Sequence, residues 1–277
     1  MTESVRYREE PWPQLRNLVE GVLRQHRPFT SWGLGEADVT DALVAIRDAQ
    51  KHLRCAVSFH AFVLHCLARA ASENPGVLTY RRGKRLLTFE DVDVATAVDK
   101  RFANGVRMPA VYTVRAAQDK SLAQVNWELR HGVRDDQSAT DAVQRRHALM
   151  RMPALLRRFI GWRMGRDPLL LRRYYGNIGL TSLHNPAFQN PFHVVAPNIY
   201  SLTMAIGSVT ERVVLDAEGR PQTRKIACLS AGADHAVIDG AGLARFAHRF
   251  AQLLQSADGL DARFIEETTR LMKEEPR

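Results

Sequence analysis

The chain has 277 residues, of which 45% are hydrophobic, 25% charged and 8% aromatic, proportions of a folded globular protein rather than a disordered or fibrous one. No apolar run reaches the roughly 20 residues that span a bilayer, and no apolar signal stretch follows the polar start MTESVRYREEPWPQ, so a cytoplasmic location is expected. Cys55, Cys66 and Cys228 are far apart and form no Cys-x-x-Cys pair, which argues against a disulfide framework or a zinc site and predicts that each packs as a small hydrophobe.

Leu15, Leu18, Val19, Val22 and Leu23 recur at helical spacing and predict a helix over 12–24, with Pro13 in its first turn. An extended stretch from Trp32 to Val39 leads to a helix from Ala42 to about Leu53, which Thr40 or Asp41 could cap. Ser58 opens an apolar helix, FHAFVLHCLARAA, that ends near Asn74-Pro75 and is hydrophobic on several faces, hence buried. Strands are predicted over 86–90, 92–98 and 108–114, with an Asn104-Gly105 turn between the last two. Ser121 caps a helix to about His131, and a polar helix over 136–150 follows. Segments 178–183, 201–206, 212–215 and 225–231 read as strands, and the pair around 216–220 as a hairpin. The last amphipathic helix carries Leu243, Phe246, Ala247, Phe250, Leu253 and Leu254. The charged tail over 257–277 is expected to fray. Helices early and strands late, without strict alternation, predict a layered α/β domain rather than a doubly wound sheet.

Chemistry concentrates in LSAGADHAVIDGAGLARF, residues 229–246. A strand ends near Ala231, His235 and Asp239 follow four residues apart, and Gly240 opens a helix. Histidine titrates nearest neutrality, so His235 can take a proton from a thiol or hydroxyl. Asp239 could fix the local backbone or an arginine rather than touch substrate. On spacing alone the string also reads as a loop histidine followed by a turn.

This stretch resembles the active-site segment of the 2-oxoacid dehydrogenase acyltransferase catalytic domain, Asp-His-Arg-x-x-Asp-Gly. It is also similar to the chloramphenicol acetyltransferase form, His-His-Ala-x-x-Asp-Gly, whose alanine matches Ala236. The likeness extends to Glu36-Ala37-Asp38-Val39-Thr40, to the helix from Ser58 ending in Glu73-Asn74-Pro75-Gly76, to Asp91 through Val98, and to Gly105-Val106-Arg107-Met108-Pro109. In the family's order it covers residues 14–256. What the resemblance implies is a single catalytic domain over 1–277 with a chloramphenicol acetyltransferase-like two-layer α/β fold, a mixed sheet flanked by helices. It further implies a coenzyme A-dependent acyltransferase in which His235 deprotonates a thiol and a strand hydroxyl, Thr181 or Ser182, stabilises the oxyanion. Asp239 would pair with an arginine of the first helix, for which Arg16 has the spacing, and Gly240 would support the same turn. Coenzyme A or acyl-coenzyme A is the expected substrate, with no metal. The acyl acceptor would be a small molecule or carrier-bound. A homotrimer or larger assembly of trimers is implied, with His and hydroxyl from different subunits. Similarity begins near residue 14 and leaves no room for lipoyl or subunit-binding modules, so a stand-alone enzyme without a covalent lipoyl group is expected. A catalytically degenerate scaffold or a peripheral membrane binding module is the alternative.

The net charge of +9 is uneven: residues 145–173 hold nine arginines (145, 146, 151, 157, 158, 163, 166, 172, 173) against Asp167 alone. Three readings compete for the basic amphipathic part, 151–173: a solvated helical face, a membrane-surface helix, or a docking surface for coenzyme A phosphates or an acidic carrier. Nucleic acid is not expected, because no recognition motif accompanies the charge. His60 and His65, five apart on one helix, are poorly spaced for a shared metal, and His184 and His193 are expected to hydrogen-bond locally.

Overall fold

The structure, a computed structural model, describes residues 20–21, 23–24, 27, 29–101, 107–131, 152–185, 188 and 190–274. The elements in chain order are β1 (Thr30–Asp38), α1 (Thr40–Leu53), α2 (Phe59–Glu73), β2 (Thr79–Arg82), β3 (Arg85–Thr88), β4 (Val94–Arg101), β5 (Arg107–Val114) and α3 (Leu122–His131). Then come α4 (Ala154–Met164), α5 (Pro168–Tyr175), β6 (Ile178–Ser182), β7 (Leu202–Leu215), β8 (Pro221–Asp234), α6 (Gly240–Gln255) and α7 (Ala262–Glu274). The Asn104-Gly105 turn, the 136–150 helix and most of the 12–24 helix fall outside the described residues.

Local chemistry sets several boundaries as the sequence suggests. The Ser58 hydroxyl accepts from the Ala61 N–H and caps α2. The Ser121 hydroxyl does the same for Gln124 at the start of α3. At α1 the expected cap is wrong. Val39 occupies the cap position, and Asp38 one residue earlier accepts from the Thr40 N–H (2.9 Å) and hydroxyl (2.6 Å) while Arg224 holds its other oxygen. The tail is a second correction. Residues 262–274 form α7, which buries Phe264 and Thr268, because its apolar side at helical spacing finds α1 and α3 to pack on. β2, absent from the sequence reading, pairs with β3 as a separate two-stranded ribbon.

Six strands form one mixed sheet in the order β1-β8-β7-β6-β4-β5, with β6 parallel to both neighbours and the other pairs antiparallel. The two predicted fragments in β7 are one continuous strand, bent by a bulge between Ile206 and Val209, and β7 with β8 makes the hairpin expected at 216–220. Side chains alternate across a strand, so registered partners share a face. One face is built from Val94, Thr96, Ile178, Leu180, Leu202, Met204, Ile206, Leu229, Ala231 and Ala233, all buried. It meets the helical layer: the His60 Nε2 of α2 lies 2.6 Å from the Thr96 hydroxyl, and the Tyr112 hydroxyl of β5 donates to Glu128 of α3. The opposite face carries small or hydroxylated residues: Ala95, Ala97, Gly179, Thr181, Thr203, Ala205, Ser230 and Gly232. Space is short there. A Cβ on Gly179 would come within 2.7 Å of the Tyr200 ring, and one on Gly232 within 2.7 Å of the Trp32 ring.

Candidate active site

His235 stands in the turn between β8 and α6. Its backbone N–H donates to the Phe29 carbonyl at 2.8 Å, which ties the turn to the entry of β1. Asp234 shapes the rest: its carboxylate accepts from the Ala236 N–H, and its carbonyl accepts from Val237 and Ile238. Arg27 lies 3.9 Å from the Asp234 carboxylate while donating to the Ile199 carbonyl, over the face of the Tyr80 ring. The His235 side chain is exposed and makes no hydrogen bond to the described residues. It is held by its backbone and free at its ring, the condition for a base that meets a substrate.

Asp239 caps α6, its carboxylate accepting from the Gly242 N–H at 2.6 Å. Arg16, its expected partner, lies outside the described residues. A Cβ on Gly240 would meet nothing within 4 Å, so that glycine is not required by close packing among the described residues.

The two candidate hydroxyls sit side by side on β6 but face opposite ways. Thr181 registers with Ala205 and, through it, with Ser230 on the helix-free face. Ser182 shares the helical face with Thr96 and Leu180, and its hydroxyl accepts from the His184 N–H. Neither is near His235 within one chain. From Thr181 the path crosses two strands to Ser230 and then runs five residues along β8, a separation of roughly 15–20 Å from strand spacing and rise.

A buried polar cluster holds β6 in place. Asp93 accepts from Arg172 (2.7 Å), Arg115 (2.9 Å) and the Ala116 N–H (2.9 Å), and Arg172 also donates to Asp91. Burial works to raise the Asp93 pKa, but the Ala116 N–H and the two guanidinium groups take it below the usual carboxylate value. Asn177 donates to the Asp91 carbonyl and accepts from the Asp93 N–H, so the start of β6 is fastened to β4. Neither Arg27 nor this cluster figured in the sequence reading. Both join residues distant along the chain, and no local pattern marks them.

Of the remaining histidines, His60 is half-buried beside Thr96, and the loss of water around its ring pushes its pKa down to about 4. His193 bonds not a local partner but the Leu229 carbonyl of β8, 36 residues on along the chain, at 3.0 Å. The Nδ1 of His184 finds no partner among the described residues; its ring packs edge-on against Phe59 instead. Glu36, His193 and Cys228 bring one ligand atom each within 4.8 Å of one another. They fit a metal poorly, because Arg212 already takes both Glu36 oxygens at 2.6 and 2.8 Å and stands where a cation would. Cys66 and Cys228 are buried and Cys55 partly so.

Solved structures share this architecture. A probable dihydrolipoamide acetyltransferase from Listeria monocytogenes 4b F2365 superposes with a TM-score of 0.65 at 15% identity, over 91% of this chain and 95% of its own. The cubic core of a pyruvate dehydrogenase multienzyme complex gives 0.65 at 20% identity, over 92% and 94%. The dihydrolipoamide acetyltransferase of Azotobacter vinelandii, in a structure addressing a serine, a histidine and an asparagine in its catalytic mechanism, gives 0.64 at 21% identity, over 92% and 94%. A search of curated protein sequences gave no match. The fold is therefore the one these acetyltransferase and pyruvate dehydrogenase core structures share, a mixed sheet flanked by helices. Residues 195–260, which contain β7, β8 and α6, match the family of 2-oxoacid dehydrogenases acyltransferase (catalytic domain).

Proposed function

We propose that the chain is an acyltransferase moving an acyl group between coenzyme A and a thiol, hydroxyl or amine acceptor, with His235 as base and Thr181 on the oxyanion. The observation that carries this reading is the placement of an exposed imidazole, fixed only through its backbone, in the family-matching segment after β8. In the acceptor direction, His235 takes the proton of the attacking group, whose lone pair forms a bond to the thioester carbonyl carbon. The carbonyl oxygen becomes the oxyanion and accepts from the Thr181 hydroxyl. Collapse breaks the carbon–sulfur bond, and the coenzyme A thiolate leaves with the proton held by the imidazolium. Thr181 is preferred to Ser182 because it lies on the helix-free face, whereas Ser182 is turned toward the helical layer and engaged by His184.

The separation of roughly 15–20 Å between Thr181 and His235 supports a site completed by a second copy, since both groups must touch one tetrahedral centre. A homotrimer, or trimers assembled further, satisfies that requirement by rotating each His235 toward a neighbour's Thr181. Asp239 acts on this reading as a positioning residue, keeping the turn of His235 on the end of α6.

The test is thiol release from a panel of acyl-coenzyme A donors with dihydrolipoamide, amines and alcohols as acceptors, for wild type and His235→Ala. Release that needs both an acceptor and His235 establishes the chemistry and the acceptor class. Release unchanged in the variant removes His235 from the mechanism.

A further inference from the structure

Helix α4 has two apolar sides. At 3.6 residues per turn, Ile160 and Met164 share the side that packs on the core, with Met164 fully buried. Leu155, Phe159 and Trp162 recur at i, i+4 and i+7 on the opposite side, exposed at 84%, 58% and 50%. A wholly solvated outer face would be polar, whereas this one carries an apolar stripe between its arginines. The Phe159 and Trp162 rings stack at 5.9 Å, and the Arg166 guanidinium lies 4.3 Å over the Trp162 ring. The stripe is thus ordered by its own contacts while facing outward. Arg158 and Arg163 flank it on its two edges, both exposed. Asp167, the only acid between 152 and 173, lies 3.5 Å from both Arg163 and Arg82, and so presents no unpaired negative charge.

We propose that this outer face of α4 seats on an anionic lipid surface. Leu155, Phe159 and Trp162 enter the boundary between headgroups and acyl chains, and Arg158 and Arg163 meet the lipid phosphates. Apolar side chains along one helix side, an indole among them and arginines at the margins, match an interfacial helix lying in the membrane plane. Charge complementarity selects the occupant. Two copies meeting through this face would bring like arginine-rich edges together and repel, whereas an anionic bilayer attracts both edges at once. No helix among the described residues is long and apolar enough to cross a membrane, so the contact is peripheral.

Co-sedimentation with phosphatidylcholine vesicles, with and without phosphatidylserine, tests the proposal on the full chain. Wild type is expected to bind only the phosphatidylserine vesicles and to be released by salt. Arg158→Ala with Arg163→Ala should weaken binding roughly 25-fold, from the headgroup attraction of two arginines. Phe159→Ser with Trp162→Ser should weaken it at least as much. Both pairs are exposed, and circular dichroism verifies that the variants are folded. Equal binding by variants and wild type, binding to phosphatidylcholine alone, or no binding to either vesicle overturns the proposal. So does a shift of oligomeric state in the variants with vesicle binding unchanged, which would make the face a subunit contact.

Discussion

If His235 and Thr181 belong to different subunits of one site, two dead variants should revive each other. His235→Ala removes the base and should lower turnover about 10²–10⁴-fold. Thr181→Val removes the oxyanion donor with little change of volume and should cost about 10²–10³-fold. In assemblies built from equal amounts of the two variants, a site works only when its imidazole comes from a Thr181→Val chain and its hydroxyl from a His235→Ala chain. In a cyclic trimer that carries both variants, one of the three interfaces has that combination, so roughly 33% of wild-type turnover should return. Co-expression with two affinity tags, followed by isolation of doubly tagged assemblies, supplies the sample, and thiol release supplies the readout. The basis is the separation of roughly 15–20 Å along the sheet, which no side-chain rotation closes. Doubly tagged assemblies with no more activity than the single variants would refute a shared site.

Ser182→Ala, on the helical face, should leave turnover within about twofold of wild type; a loss like that of Thr181→Val would reverse the choice of hydroxyl. His60 gives a pH prediction. Its pKa falls from 6.5 to about 4 on folding because burial disfavours the charged ring. The unfolded chain therefore binds the extra proton as pH drops below about 6.5, and stability is lost until about pH 4, by at most about 3 kcal/mol. Urea titrations at fixed protein concentration should show this loss reduced in His60→Gln; parallel pH profiles would reject it. Asp93→Asn should destabilise by about 3 kcal/mol, since it removes the charge that Arg172 and Arg115 share, and thermal unfolding measures this. Gly179→Ala forces a methyl against the Tyr200 ring, whose hydroxyl is held by the Tyr175 carbonyl, and should cost about 1–3 kcal/mol in the same assay.

Most elements were legible in the sequence because their signals are local. Ser58 before an apolar run, the hairpin around Asp216 and the helix after Asp239 each depend on a few neighbouring residues. What was hidden depends on partners remote in sequence. The α7 helix looks like a charged tail until α1 and α3 are placed beside it. Asp93 reads as one more acid in an alternating strand, yet it anchors the approach to β6 through Arg172 of a helix near the far end of the basic segment. The faces that Thr181 and Ser182 take were open because a one-residue change of register exchanges them, and only strand pairing fixes which is which.

The sheet itself supplies a second argument for a covering copy. On the helical face, alternate residues are large and buried, as a core requires. On the other face the row through Thr181 runs Ala97, Thr181, Ala205, Ser230, Leu34, ending on the edge strand β1 with Leu34 exposed. Leu183 and Val195, beyond β6 and along the segment leading to β7, are also exposed. The Ser230 hydroxyl in that row has no partner among the described residues, an expensive state for a buried polar atom. The middle of the row, Ala205 and Ser230, is already buried within the chain, so the exposed leucine of the edge strand is the part of it that offers a seat to another chain. On the proposed reading, the exposed Leu34 edge and the hydroxyl that needs an imidazole lie in the same row. Substituting Leu34 by Glu should then lower assembly and turnover together, while leaving the circular dichroism of the monomer intact. Loss of turnover with the assembly preserved would place Leu34 in the substrate path instead.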